Sequence, residues 1–269
     1  MGEIFSLLFT NPITNVLVAF YKLLSLIGVP YALGFSIILL TTVIKLVLWP
    51  LVSLQIKSAA KMQKMTPHMN EIKEKHKDDK KKQQEAIMML YKEHGVNPAA
   101  GCLPLIIQIP VIWSLYGVLT TVVAVTSISA INKINAVLYF PFLRLTSVWD
   151  PTFLGFSLAA SPATLLSVAP IALSVPLITG VLQFILSKMM LPEEMPKTQK
   201  DDFQSAFQKQ SLFIFPIMIG FFSYSLPIGL SLYWNTFTVF GILQQYLLIG
   251  PGGTKNWITK AKTIYGRNK

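Results

Sequence analysis

The sequence predicts an all-α integral membrane protein, with five transmembrane helices, a cytoplasmic helical hairpin and an N-terminal interfacial helix. Three observations carry that fold class. Of 269 residues, 52% are hydrophobic and only 13% charged, about half the charged share of an ordinary soluble domain. Five stretches stay apolar over roughly the 20 residues that cross a bilayer core as a helix. And 19 of the 23 Lys and Arg fall in segments that five spans place on one side of the membrane, the asymmetry that sets orientation. The composition excludes a disordered or collagenous chain. A single cysteine, Cys102, excludes an internal disulfide framework and any multi-cysteine metal site.

Residues 1–29 form the first element. Asn11-Pro12 reads as a helix start, with proline tolerated in the first turn. Ile13, Val16, Leu17, Phe20, Leu23, Leu24 and Ile27 then recur at helical spacing, while Thr14, Asn15, Tyr21, Lys22 and Ser25 share another face. This pattern predicts a helix lying in the interface; a sixth span or an uncleaved signal is the alternative. Residues 30–54 hold the first span, Tyr31 to Leu54, whose one charge is Lys45.

Residues 55–98 hold ten Lys and six acids and read as two polar helices, Gln55 to His76 and Asp79 to His94. Pro67 should interrupt the first arm. Met62, Met65, Met69, Met88 and Met89 are expected to form the seam between the arms, or an adaptable contact surface for nascent chains or partners. Residues 99–249 supply the other spans: Gly101 to Val125, Ala163 to Leu186, Ser211 to Leu226 and Ile228 to Ile249, the last two joined by a tight turn at Leu226-Pro227-Ile228-Gly229. Residues 250–269 are a basic tail. The Lys-rich segments face the cytoplasm (or matrix or stroma), which puts the N-terminus outside and the C-terminus inside.

Lys45 is the most informative single residue. It lies about 13 Å from the cytoplasmic end of its span at the helical rise, too deep for easy snorkelling. A charge at mid-span costs about 2.5–3.5 kcal/mol on insertion scales. No span contains an acid to pair with it, so a hydrated pocket is the simplest arrangement. Thr41 is one turn away on the same face and Thr42 lies beside it. Gln108, Gln183, Ser223, Tyr224, Asn235, Gln244 and Gln245 are also polar within spans. They either hydrogen-bond helices together or, with Lys45, line one polar groove. Trp234 lies inside its span rather than at an end, where belt aromatics sit.

The search for catalysis is negative. His68, His76 and His94 lack paired metal-ligand spacing, and no Gly-rich phosphate loop is present. A Ser–Lys dyad at Lys45 has no accompanying serine motif. The chain is therefore expected to be no enzyme and to need no cofactor or metal. A small-solute or ion transporter using Lys45 as a binding charge is the competing class. It calls for internal repeats or a coupling-ion site, and neither is visible.

The run Asn97-Pro98-Ala99-Ala100-Gly101-Cys102-Leu103-Pro104-Leu105-Ile106-Ile107-Gln108-Ile109-Pro110-Val111 resembles the second-span signature of the YidC/Oxa/Alb membrane protein insertases. Lys61-Met62-Gln63, Leu90-Tyr91-Lys92 and the closing run Leu226 to Asn235 with Gln244-Gln245 are similar to that family too. The resemblance implies five helices around a hydrophilic groove that is open to cytoplasm and lipid. It also implies insertion of other proteins' helices without ATP. Lys45 matches the family's groove cation, usually arginine. Groove roles carry over onto Thr41, Gln183 and Trp234. Implied partners are nascent membrane proteins, with the family acting alone or beside the Sec translocon. The charge of the basic tail, Lys255, Lys260, Lys262, Arg267 and Lys269, suits contact with the ribosome or anionic lipids, or a topology anchor alone, and no DNA is expected. The implied location is the cell membrane, as in compact bacterial members without a large outer domain.

Overall fold

Helix dominates because long apolar runs in lipid must satisfy their backbone groups internally. The computed structural model describes residues 2–96, 103–123, 128–192, 203–257 and 259, with the backbone alone at 103–108, 121, 122, 128, 130, 203–209 and 211. The helices are α1 (Gly2–Leu26), α2 (Ala32–Val47), α3 (Trp49–Lys64), α4 (Thr66–Lys75), α5 (Lys80–Glu93), α6 (Leu103–Val118), α7 (Ile128–Asn135), α8 (Pro162–Leu165), α9 (Ser174–Met189), α10 (Phe203–Ser225) and α11 (Ile228–Leu248). Two units are distinct. One comprises Met1–Val47, Gln108–Phe184 and Ser211–Gly241; the other comprises Leu48–Ile107, Ile185–Gln210 and Ile242–Lys269.

Several element boundaries differ from the sequence reading. The first span does not run unbroken to Leu54: the helix stops at Val47 and α3 starts afresh at Trp49-Pro50. Proline at that position favours a new first turn over continuation. The third span begins later than Ala163, at Pro170, and its α-helical part at Ser174. Ser161 caps the four-residue α8, and a 3-10 turn at Pro170–Leu173 then leads into α9. By length and apolarity, Gly2–Leu26 and Pro170–Met189 qualify as spans among the described residues, or three if α2 and α3 are one broken span; Ile109–Val118 and Leu212–Ser225 are shorter apolar helices. A two-residue strand pair, Thr152–Phe153 with Phe156–Ser157, interrupts the all-α pattern. It turns through Leu154 and Gly155, both at positive φ, the geometry of a tight hairpin turn.

The first unit has one apolar core, which includes Leu17, Val18, Leu33, Ile37, Leu40, Leu115, Leu158, Leu230 and Tyr233. In α1 the buried face mixes the two sets, with Ile13 and Leu17 of the apolar stripe buried beside part of the polar one. Thr14 and Asn15 are buried, whereas Leu26 is 85% exposed and Leu23 and Ile27 also point outward. The physical reason is that hydrocarbon satisfies leucine but not an amide. Asn15 Nδ2 donates to the carbonyls of Asn11 and Val137, and the Tyr139 N–H donates to its Oδ1. At 25 residues and apolar enough to cross, α1 has the length of a span.

Small residues bring α9 and α10 together. A Cβ on Gly220 would sit 3.4 Å from the Pro176 carbonyl and 3.7 Å from Gly180 Cα, so the two backbones are nearly in contact, as in small-residue membrane interfaces. Beside them Ser223 Oγ hydrogen-bonds Thr179 Oγ1 at 3.1 Å and Ser231 Oγ at 2.8 Å, which links α9, α10 and α11 through buried hydroxyls.

In the second unit, the charged arms pack through Met65, Met69, Tyr91 and Val96, flanked by Met62, Ile87 and Leu90. The Tyr91 hydroxyl reaches Met69 Sδ, and burial pushes its pKa up. The expected five-methionine seam is thus split: Met88 is 47% and Met89 64% exposed. Spacing explains it, since Met88 and Met89 flank the α5 stripe defined by Ile87, Leu90 and Tyr91. The α4 helix starts at Thr66-Pro67 after a break at Met65.

Asp79 caps α5 by accepting from the Lys82 N–H at 3.0 Å. That hydrogen bond holds its carboxyl below the usual carboxylate range. A lowered pKa means the cap's contribution is full above the unfolded value and is lost as pH falls through the folded one. Hydrogen exchange should therefore show Lys82 protected at neutral pH and deprotected in acid. Asp79→Ala should remove the pH dependence, and a profile unchanged by that substitution would refute the cap's role.

The second unit also closes the C-terminal end of α9. The carbonyls of a helix's last turn have no partner within the helix. Here Gln245 Nε2 donates to the Met189 carbonyl at 3.5 Å, Gln63 Nε2 to that of Met190, and the Gly253 N–H to that of Leu191 at 2.9 Å. A cavity of about 490 Å³ opens beside this cap, lined by Ala59, Gln63, Met190, Gln245 and Leu248 among others.

Candidate functional site

The ammonium that the sequence singles out is carried by α2, on the face buried through Leu33, Ile37, Leu40 and Thr41. Lys45 is only 3% exposed. Its Nζ stands 3.4 Å from the centroid of the Phe237 ring, within the first unit. An ammonium over an aromatic face is attracted by the ring quadrupole, an interaction worth about 2 kcal/mol or more when desolvated. No carboxylate pairs with Lys45 among the described residues, and no hydrogen bond from Nζ is present among them. Among the described residues the charge is therefore balanced by a π face, and its three N–H donors meet no acceptor there.

The other expected residues are placed as follows. Thr41 is fully buried one turn from Lys45, but its hydroxyl donates to the Ile37 carbonyl at 2.6 Å. Thr42 does the same to Ile38 at 2.9 Å. Both hydroxyls spend their proton on their own helix and keep only acceptor capacity for another group. Gln183 on α9 is half-buried, as are Trp234 and Asn235 on α11. Asn235 Oδ1 is itself buried without a partner. The backbone of Gln108 lies in α6, and its side chain falls outside the described residues, as do Cys102 and Asn97 to Gly101 of the second-span signature and most of the basic tail.

Three in-span polar residues act as helix glue. Ser223 joins the hydroxyl chain above. Gln244 donates to the Trp49 carbonyl and to Ser53 Oγ, each at 3.3 Å, while its Oε1 is buried unpaired. Gln245 caps α9. Sequence reasoning missed Phe237. The available signal was indirect: with no acid in any span, an aromatic face was the remaining partner for a buried cation, and Phe237 lies one turn beyond Tyr233 on the last span.

A helical membrane protein with a cation buried among its apolar helices, facing an aromatic ring, is the class that these features define. The sequence comparisons agree on a family. A profile described as 60Kd inner membrane protein matches residues 22–252. The protein named "Membrane protein insertase YidC" of Caulobacter vibrioides strain NA1000 is 35% identical over 247 residues, 90% of this chain and 36% of that one. A protein of the same name from Fusobacterium nucleatum is 32% identical over 219 residues, 81% of this chain and 87% of that one. Another from Streptomyces avermitilis is 30% identical over 263 residues, 93% of this chain and 59% of that one. The chain belongs to the 60Kd inner membrane protein family, the YidC/Oxa group, and is a multi-pass membrane protein. It spans 36% of the length of the Caulobacter relative.

Proposed function

We propose that the chain is a membrane protein insertase, which receives hydrophobic helices of newly made proteins and releases them into the bilayer without ATP hydrolysis or covalent chemistry. The observation that carries this reading is the buried ammonium of Lys45, which meets an aromatic ring and no carboxylate among the described residues. A permanent structural role would be served by a buried partner for the charge, or by an apolar residue in its place. A cation whose donors meet no acceptor among the described residues is suited to a transient guest. The relatives named insertases supply the class of guest.

The barrier to insertion is the desolvation of a client's polar flank. A polar groove formed by Lys45, Thr41, Thr42, Gln108, Gln183, Trp234 and Asn235 shortens the dry path for that flank. Lys45 attracts an acidic or polar outer tail, and the apolar segment leaves between the third and fifth spans, driven by burial of its surface in lipid. In this reading five helices span the plasma membrane, α1 lies at the interface or adds a sixth span, and the α3–α5 arms face the cytoplasm. The Sec translocon, the ribosome and anionic lipids are its proposed partners. The test is a photocrosslinker at Gln183 or Trp234 in the presence of a stalled single-span client. Capture at both positions is the expected result. Capture only elsewhere, or solute uptake by purified protein in liposomes without helix insertion, would overturn the reading.

A further inference from the structure

We infer that Phe237 is a specificity-determining residue of this site, a resident occupant of the Lys45 ammonium that a client must displace; this rests on the insertase reading above. At 3.4 Å from Nζ, the Phe237 face supplies negative electrostatic potential. It supplies no lone pair, so none of the three N–H donors is satisfied by it. A carboxylate supplies both charge and acceptor oxygens, and such charge-assisted hydrogen bonds are the stronger class. A neutral amide supplies an acceptor but no charge.

The ring is therefore a threshold. An anionic tail gains more from the ammonium than the ring does, and replaces it. A neutral tail gains too little to replace it readily. The ring is built to hold this position and also to leave it. Tyr233, one turn earlier on α11 and 2% exposed, packs against Phe237 with ring centroids 5.9 Å apart at 43°. Phe237 itself is only partly buried, at the margin of the apolar core, so its displacement does not require the core to open. Thr41 and Thr42 keep acceptor lone pairs after donating to α2 carbonyls, but among the described residues neither accepts a hydrogen bond from Lys45 Nζ.

The experiment uses the full chain in proteoliposomes and two single-span clients that differ only in the outer tail, one carrying Asp and the other Asn at the same positions. Insertion is read by protease protection as the Asp-to-Asn ratio. Phe237→Leu should raise insertion of the Asn client, lowering the ratio roughly thirtyfold, the scale set by a desolvated cation–π contact. Phe237→Trp, a stronger π partner, should raise the ratio and guards against a folding artefact in the leucine variant. A ratio unchanged in both Phe237 variants while Lys45→Gln lowers it would overturn this inference and leave the insertase reading intact. A ratio unchanged in Lys45→Gln as well would overturn the charge attraction itself, and this inference with it.

Discussion

Lys45→Glu is expected to reduce insertion of clients with acidic outer tails at least tenfold. Three physical consequences act in the same direction. The attraction between the groove and an anionic tail becomes a repulsion. The new carboxylate faces the negative π surface of Phe237, 3.4 Å from where the ammonium stood. It is also buried where no cation pairs with it, and an uncompensated buried charge is costly. Because that last effect threatens folding, the informative comparison includes Lys45→Arg and Lys45→Gln. Arginine keeps the charge and the ring contact and should sustain insertion. Glutamine keeps bulk and hydrogen bonding but loses the charge, and should spare neutral-tail clients while impairing acidic ones. Depletion of the native protein, with a short-tailed membrane protein as readout, measures all three variants. Normal insertion of acidic clients by a folded Lys45→Glu protein would remove the attraction mechanism.

Gly252→Val is expected to destabilise the second unit by about 3 kcal/mol, the upper end for forcing extra atoms into a packed site. Gly252 has φ +50°, and a Cβ there would collide with the Met189 carbonyl oxygen, a backbone atom that cannot rotate away. A β-branched residue also resists positive φ. Next to it, a Cβ on Gly253 would come within 2.7 Å of the Lys188 carbonyl. The chain at these two glycines lies directly on the end of α9, where the Gly253 N–H, Gln63 and Gln245 satisfy its last carbonyls. The substitution should therefore lower the thermal midpoint in detergent and increase proteolysis near residues 189–192. Gly250→Ala is the control: its Cβ meets open space, though its φ of +97° carries backbone strain. If Gly252→Val leaves midpoint and cleavage at wild-type values, the close backbone approach is not what holds this end of α9.

Much of the architecture was legible in the primary structure because lipid imposes strict rules on it. Apolar runs of spanning length, the tight turn at Leu226-Pro227 between α10 and α11, and the interruption at Pro67 each follow from local chemistry. Other features were not legible. The break at Leu48 falls inside a continuous apolar run, where hydropathy carries no signal and only Pro50 marks a helix start. The delayed start of α9 depends on Ser161 and Pro170 overriding an apolar stretch. The polar side of α1 was readable as a stripe, but its direction was not. In water that stripe faces solvent; here Thr14 and Asn15 turn inward, where Asn15 finds its partners on its own helix and at Val137 and Tyr139.

By itself, the order of residues determined that this is a helical membrane protein, that its cations are segregated, and that a lysine lies deep in its first apolar span. These depend on properties each segment carries alone: transfer free energy, charge and turn chemistry. Only the tertiary structure decided what the Lys45 ammonium touches, which threonine hydroxyls are already committed, and which glutamines cap another helix. A partner 192 residues away along the chain is set by how helices pack, and packing is a property of pairs of surfaces that no single segment contains.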